Sequence, residues 1–287
     1  MDYLKEALAI KEQLINWRRD FHRNPELGFE VYRTSSVIKE FLKNQSIDYK
    51  EVAGTGICAT IKGDISRSNS KTVALRADMD ALPLIDKKGC EYSSIVQGKM
   101  HACGHDAHMA ILMGVAKILN EKKKSINGTV KLFFEPAEET VGGSRFMIKE
   151  GILENPFVNG VFGLHVAENI EAGFIGVKRG VVNAASNPFT IKIKGKGGHG
   201  AHPDTTIDPI VISSSVILAL QSIVSREIPP TDAAVITIGS IHGGTVQNII
   251  PEEVVIGGII RTMKKEQREY VKNRLVEVTE GIVKAMR

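Results

Sequence analysis

The sequence predicts an α/β protein in two parts. A first domain, over residues 1–185, places a mixed or largely parallel sheet between helices, and a ferredoxin-like α+β domain follows over residues 186–287. Three observations carry this. Short β-rich runs alternate with helical segments from about residue 57, the pattern of strands buried on both faces. Around Asn183-Ala184-Ala185-Ser186-Asn187-Pro188 small and polar residues interrupt that pattern. Beyond them the order reads strand, helix, strand, strand, helix, a ferredoxin-like unit without its last strand.

Taken in order, residues 1 to about 45 read as helices. Leu4, Leu8, Leu14 and Trp17 recur near helical spacing, Asn24-Pro25 breaks the run, and Val37, Ile38, Phe41 and Leu42 resume it. Strands are expected at 57–61, 72–77, 129–134, 160–166 and 174–177, with a helix at 106–119 and a hydrophilic surface loop at 64–70. In the second part the expected elements are a strand at 189–194, a helix at 208–226, strands at 235–241 and 253–261, and a helix at 264–286.

With 287 residues, 43% hydrophobic and 24% charged, the chain is long enough for about two domains and ordinary for a globular protein. Thirty-seven Lys and Arg against 33 Asp and Glu leave +4. That excess is spread thinly, its densest runs at 122–124 and 192–196 being short, so no nucleic-acid footprint is expected. The run 207–220 is interrupted by Asp208, Pro209 and three serines and falls short of the roughly 18 residues a membrane span requires. Three cysteines, Cys58, Cys90 and Cys103, and a charged N-terminus without the apolar stretch of a signal peptide point to a reduced, cytoplasmic setting.

The chemistry gathers where strands end. The run 72–77 leads into Asp78-Met79-Asp80, the run 129–134 into Glu135-Pro136-Ala137-Glu138-Glu139, and the run from 160 into His165. Open α/β sheets bind ligands at these carboxyl ends. A fourth cluster, His101-Ala102-Cys103-Gly104-His105-Asp106-Ala107-His108, occupies the turn that opens a helix, with Asp106 placed to cap it. Singly, each cluster has an ordinary reading as a charged turn or a strand-end residue; together they predict a metal site. Cys, His and carboxylate form the mixed donor set zinc prefers, with manganese or cobalt tolerated. A closed structural zinc would favour paired Cys-x-x-Cys motifs, which the sequence lacks. Glu138 and Glu139 would repel one another unless a cation is near, and neighbours in a turn diverge, so one can bind metal while the other faces water. His22, His108 and His242 are expected at the surface or in support of other residues, and Cys58 and Cys90 as ordinary thiols.

Arg18 to Gly28, Arg76 to Pro83, His101 to His108, Pro136 to Glu139, Gly163 to His165, Gly197 to Pro203 and Gly243 to Pro251 together resemble the co-catalytic metal amidohydrolases related to aminoacylase and carboxypeptidase G. Within that family the resemblance is to the branch of hippurate hydrolase, N-acetyldiaminopimelate deacetylase and the auxin-conjugate hydrolases, and it covers essentially the whole chain. It implies two divalent metal ions per site in the complete enzyme, Zn or Mn with Co possible. Cys103 would stand in the bridging position, with His105, Glu139 and His165 as further ligands and Glu138 as general base. Asp80 matches the catalytic aspartate that orients a ligand. Asp78 stands where the wider family has a metal-binding histidine, which makes it a doubtful ligand.

The second domain resembles the family's lid and dimerisation domain, which implies a homodimer. There His199 would reach the tetrahedral oxyanion, from the partner subunit in many relatives, and Asn248 and Arg261 would hold the substrate's α-carboxylate. Relatives continue beyond the point where this chain stops and supply a final metal-binding histidine, whereas no histidine follows His242. The resemblance therefore implies a fragment that binds metal weakly or singly. The activity expected is hydrolysis of N-acyl amino acids to a carboxylate and a free amino acid. Two alternatives stand beside it: a dipeptidase or carboxypeptidase of the same superfamily, and a catalytically silent binding or assembly module.

Overall fold

The computed structural model describes residues 2–64 and 70–286, so the centre of the expected 64–70 loop lies outside the described residues. The chain divides into two compact units, Met1–Ala172 and Gly173–Arg287. That division falls ahead of the expected 185/186 boundary, because residues 173–184 form neither strand nor helix and give the sequence no edge to mark.

The first unit opens with helices α1 (Tyr3–Ala9), α2 (Lys11–Arg23) and α3 (Tyr32–Asn44). Strands β1 (Asp48–Val52), β2 (Gly56–Lys62) and β3 (Lys71–Asp78) follow, then helix α4 (His105–Glu121), strand β4 (Gly128–Glu135), helix α5 (Ser144–Lys149) and strand β5 (Gly160–Gly163). They build one sheet in the order β1-β2-β4-β3-β5. The β1–β2 and β2–β4 pairs are antiparallel, while β3 runs parallel to both β4 and β5. This is the mixed sheet expected.

Alternation along the strands feeds two cores. Leu132 and Phe134 of β4 join Ile57 and Ile61 of β2 under Phe21, Ile38, Leu42, Met109 and Met113 of the helices. Phe133 points the other way, to Cys58, Ala74, Met147, Ile152 and Val158. Every residue of β4 is buried, as a central strand covered on both faces must be. Even Lys131 is buried there, its ammonium donating to the carbonyls of Ile152 (2.8 Å) and Glu154 (2.6 Å).

Several expectations are corrected. The run 160–166 is a strand only over Gly160–Gly163, and 174–177 is no strand at all, Ile175 and Val177 being 90% and 92% exposed. Apolar β-branched residues there suggest a strand, but no neighbouring strand pairs with them among the described residues. Strand β1 and helix α5 escape the sequence reading because β1 is a polar, exposed edge and α5 is too short to establish a period. Helix α4 is capped by Gly104, at φ +84°, rather than by Asp106. The Asp106 carboxylate instead accepts from His22 Nδ1 (2.7 Å) and Arg18 Nε (2.8 Å), tying α2 to α4. His22 is thus fully buried, not at the surface, and acts in support.

In the second unit, β6 (Ala185–Lys194) and the short β7 (Gly198–His199) precede helix α6 (Pro209–Ser222). Strand β8 (Ala234–Gly243), the short β9 (Ile249–Ile250), β10 (Glu253–Thr262) and helix α7 (Lys265–Ala285) complete it. The sheet order is β6-β10-β8, all antiparallel, which is the ferredoxin-like arrangement for the first three strands. Asp208 caps α6 through Ile210 N–H (2.8 Å), with Pro209 in its first turn. The apolar run does not end at Leu220. A π-helical turn carries it on, and Pro209–Glu227, 19 residues of mean hydropathy 1.5, is long and apolar enough to cross a membrane by length and composition alone. In this fold its Ile212, Val216, Leu220 and Ile223 fill a core with Ile256 of β10 and Val271 and Leu275 of α7.

Candidate metal centre

Parallel pairing puts the ends of three strands at one edge of the first unit. Asp78, last in β3, lies opposite Glu135, last in β4, and Gly163 of β5 is paired to Arg76. The segments leaving these strands carry Asp80, the Glu138–Glu139 pair and His165, and the turn entering α4 brings Cys103 and His105 among them.

The donor atoms converge. Cys103, His105 and His165 form one group whose ligand atoms lie within 4.8 Å of one another, and His105, Glu138 and Glu139 form a second. Cys103 Sγ stands 3.4 Å from His165 Nε2, and His105 Nε2 stands 3.7 Å from Glu139 Oε1. Both histidines are turned by their other nitrogen: His105 Nδ1 bonds to the Asp80 carbonyl and His165 Nδ1 to the Val166 carbonyl, each at 2.7 Å. Each therefore presents Nε2 to the centre. His105 Nε2 and Glu139 Oε1 are buried with no hydrogen-bond partner, a costly state that a cation would relieve. Cys103 points the same way. Burial, then Glu139, Glu138 and Asp78, push its thiol up to about 12, so only a cation would make it a thiolate at neutral pH. The residues fit a metal.

Asp80, 1% exposed, holds the acidic turn: its two carboxylate oxygens accept the N–H groups of Glu138 (2.9 Å) and Glu139 (3.1 Å). It also holds the ring: the Asp80 carbonyl lies 2.7 Å and carboxylate Oδ1 3.7 Å from His105 Nδ1. Ala137, at φ +56°, makes the bend that sends the two glutamates apart, Glu139 half-buried and Glu138 exposed. Desolvation by its surroundings and the neighbouring charge of Glu139 raise the Glu138 carboxyl above its ordinary range, towards the value a base working near neutrality needs.

A third donor group joins Asp78, His105 and His108, but two of these are already engaged. Asp78 Oδ1 accepts from His108 Nδ1 (2.6 Å) and Oδ2 from Arg76 (2.7 Å), while His108 Nε2 accepts the Val166 N–H (3.0 Å). Those partners, outweighing burial, hold the Asp78 carboxyl down at about 2. His108 is 2% exposed, which corrects its surface reading and leaves the supporting one. Its spacing from His105 puts both on one face of α4. Gly104 is also fixed here, since a Cβ at that position would lie 2.2 Å from Val166 Cγ2.

The remaining candidates lie in the second unit. His199 is exposed on β7, and its Nδ1 accepts the Ala201 N–H (3.1 Å), leaving Nε2 as a donor. Asn248 is beside it, its carbonyl accepting from Gly200 (2.8 Å). Arg261 is elsewhere, opposite Ser186 near the far end of β10, and at about 3.3 Å per residue it stands on the order of 25 Å from Glu253. One chain therefore does not bring Asn248 and Arg261 together. His242 is exposed, Cys58 is buried, and all three cysteines are free thiols.

Cys103 can be interrogated directly. If it binds metal, a thiol reagent is expected to label it slowly in the metal-loaded protein and readily after chelation, while Cys58 and Cys90 show no such contrast. Mass spectrometry of the labelled peptides reads this out, and labelling of Cys103 indifferent to the chelator would remove it from the ligand set.

Residues 74–285 match the profile of peptidase family M20/M25/M40. The chain is 43% identical over 277 residues to IAA-amino acid hydrolase ILR1-like 5 of Arabidopsis thaliana, covering 95% of itself and 62% of that protein. It is 43% identical over 275 residues to N-acetyl-L-cysteine deacetylase of Bacillus subtilis, covering 96% of itself and 65% of that protein. It thus spans less than two thirds of the length of either. The crystal structure of Bacillus subtilis YXEP, described as a dinuclear metal binding peptidase, superposes with a TM-score of 0.77 at 37% identity, over 97% of this chain and 71% of that one.

Proposed function

The chain belongs to peptidase family M20/M25/M40, and from that membership we propose that it hydrolyses the amide bond of N-acyl amino acids with the help of divalent metal ions. The observation that carries this reading is the meeting of two unpartnered buried atoms, His105 Nε2 and Glu139 Oε1, beside Cys103, His165 and a free Glu138. The relatives support the substrate class, an amino-acid conjugate in one and an N-acetyl amino acid in the other.

Cys103, His105, Glu139 and His165 would hold divalent cations, zinc or manganese, with cobalt possible. When bound, such ions polarise a carbonyl and lower the pKa of water. Glu138 takes the proton from the attacking water on its carboxylate as the water oxygen adds to the amide carbon. It then passes that proton to the departing nitrogen as the C–N bond breaks, leaving a carboxylate and a free amino acid. Asp80 keeps Glu138 and Glu139 in place through their N–H groups. His199 Nε2–H is a ready donor to the tetrahedral oxyanion, a contact worth about 3 to 4 kcal/mol in a preorganised site.

A homodimer accounts for the separation of Asn248 from Arg261, since a substrate α-carboxylate could meet Asn248 of one subunit and the bidentate fork of Arg261 of the other. In that arrangement His199 works in trans. Mixing inactive His199→Ala with inactive Glu138→Gln subunits is then expected to restore part of the activity, and no recovery in demonstrated heterodimers would exclude it. Three free thiols support a reducing, cytoplasmic setting.

The activity itself is tested with acetyl, benzoyl and indole-acyl amino acids beside dipeptides, with metal content measured before and after chelation. N-acyl amino acids are expected to be cleaved in preference, and chelation to abolish cleavage. Preference for dipeptides would favour the peptidase alternative, and a protein that takes up no metal would be the silent module.

A further inference from the structure

We infer that His108 is a positioning residue for His165, acting through the main chain of Val166. The inference rests on the reading of His165 as a metal ligand and adds how that ligand is held.

His165 needs holding. It is exposed, it follows β5 by two residues, and no strand or helix continues through it. What fixes it is a run of contacts from the sheet outward. Arg76 Nε is anchored on Glu135 (2.7 Å), and its other arm donates to Asp78 Oδ2 (2.7 Å), holding that carboxylate in place. A backbone N–H can only donate, so His108 Nε2, 3.0 Å from the Val166 nitrogen, is the acceptor there. The ring proton is then on Nδ1, which gives it to Asp78 Oδ1 at 2.6 Å. The Val166 carbonyl in turn accepts from His165 Nδ1 at 2.7 Å, which directs His165 Nε2 to Cys103 Sγ.

The placement also assigns Asp78. Where the resembled family has a metal-binding histidine, this chain has a carboxylate whose two oxygens serve His108 and Arg76. His108 likewise has both nitrogens in use. Neither is a ligand, in spite of their nearness to His105. Outer residues of this kind are worth about 10- to 100-fold in metal affinity.

The test uses Co(II) as the probe, its affinity measured by competition with a chelator and its thiolate absorption band reporting Cys103. In His108→Gln the side-chain oxygen can replace Nε2 as acceptor for Val166; in His108→Asn the amide can replace only the Nδ1 donor; in His108→Leu both are gone. Affinity is expected to fall about 10- to 100-fold in the Leu and Asn variants and to stay within a few-fold of wild type in the Gln variant. The melting temperatures of the metal-free Gln, Asn and Leu variants, measured first, are expected to be similar; should the Leu variant not fold, the Gln and Asn pair decides alone. Equal losses in all three would make His108 a ligand or a packing residue and overturn the inference, as would wild-type affinity in the Asn variant while His165→Ala is weakened. Wild-type affinity in His165→Ala would instead overturn the ligand assignment beneath it.

Discussion

Glu138→Gln is expected to retain its divalent cations and to lose activity by at least 100-fold, whereas Glu139→Gln loses the cations themselves. The two residues are adjacent and chemically identical, so the split comes from where the turn sends them. Glu139 is half-buried, with an unpartnered Oε1 3.7 Å from His105 Nε2, while Glu138 stays open to solvent with a raised pKa. Removing a proton acceptor from a hydrolytic site costs roughly 100- to 10,000-fold; removing an anionic ligand costs the metal. Metal analysis alongside initial rates on an N-acyl amino acid separates the cases, and equal metal loss in both variants would reverse or abolish the assignment.

Asp80→Ala is expected to be nearly as damaging, although Asp80 is not a proposed ligand. Its carboxylate alone satisfies the N–H groups of Glu138 and Glu139, and bonds to a charged group are each worth about 1.5 to 3 kcal/mol. Without them the acidic turn loses its hold at both the base and the ligand, so rate and metal affinity fall together and the melting temperature drops. Asp80→Asn keeps one acceptor oxygen and should fall between Ala and wild type. An Asp80→Ala protein with normal metal affinity would mean that the turn is held by Ala137 and its neighbours instead.

The sheet was legible because strands covered on both faces must be apolar, so β2, β3 and β4 announce themselves. Its ends were legible for the complementary reason: a carboxylate or histidine closing such a run has left the core. Peripheral elements were not. The polar edge strand β1 and the short helix α5 lack a periodic signal, and the apolar run at 174–177 mimics one without pairing. Within the site, residue types pointed to Cys103, His105, Glu139 and His165, but not to the jobs of their neighbours. Asp106 reads as a cap and is the buried partner of His22 and Arg18. Asp80 reads as the keeper of one ligand and, besides meeting His105, grips a turn through two N–H groups. Such roles depend on contacts between residues far apart in sequence, as His22 and Asp106 are, and local spacing does not encode them.

The close approach at Gly104 makes two distant positions evolve as one. The space a Cβ would need is filled by the Val166 side chain, and the left-handed backbone at 104 already disfavours all but glycine and, to a lesser degree, asparagine. A side chain at 104 therefore requires the Val166 methyl to turn aside or to be removed, as in alanine or glycine. Across sequences bearing this site, bulk at the two positions should trade off, and a double-mutant cycle between Gly104→Asn and Val166→Ala should return a coupling energy in which the pair is more stable than the sum of its parts.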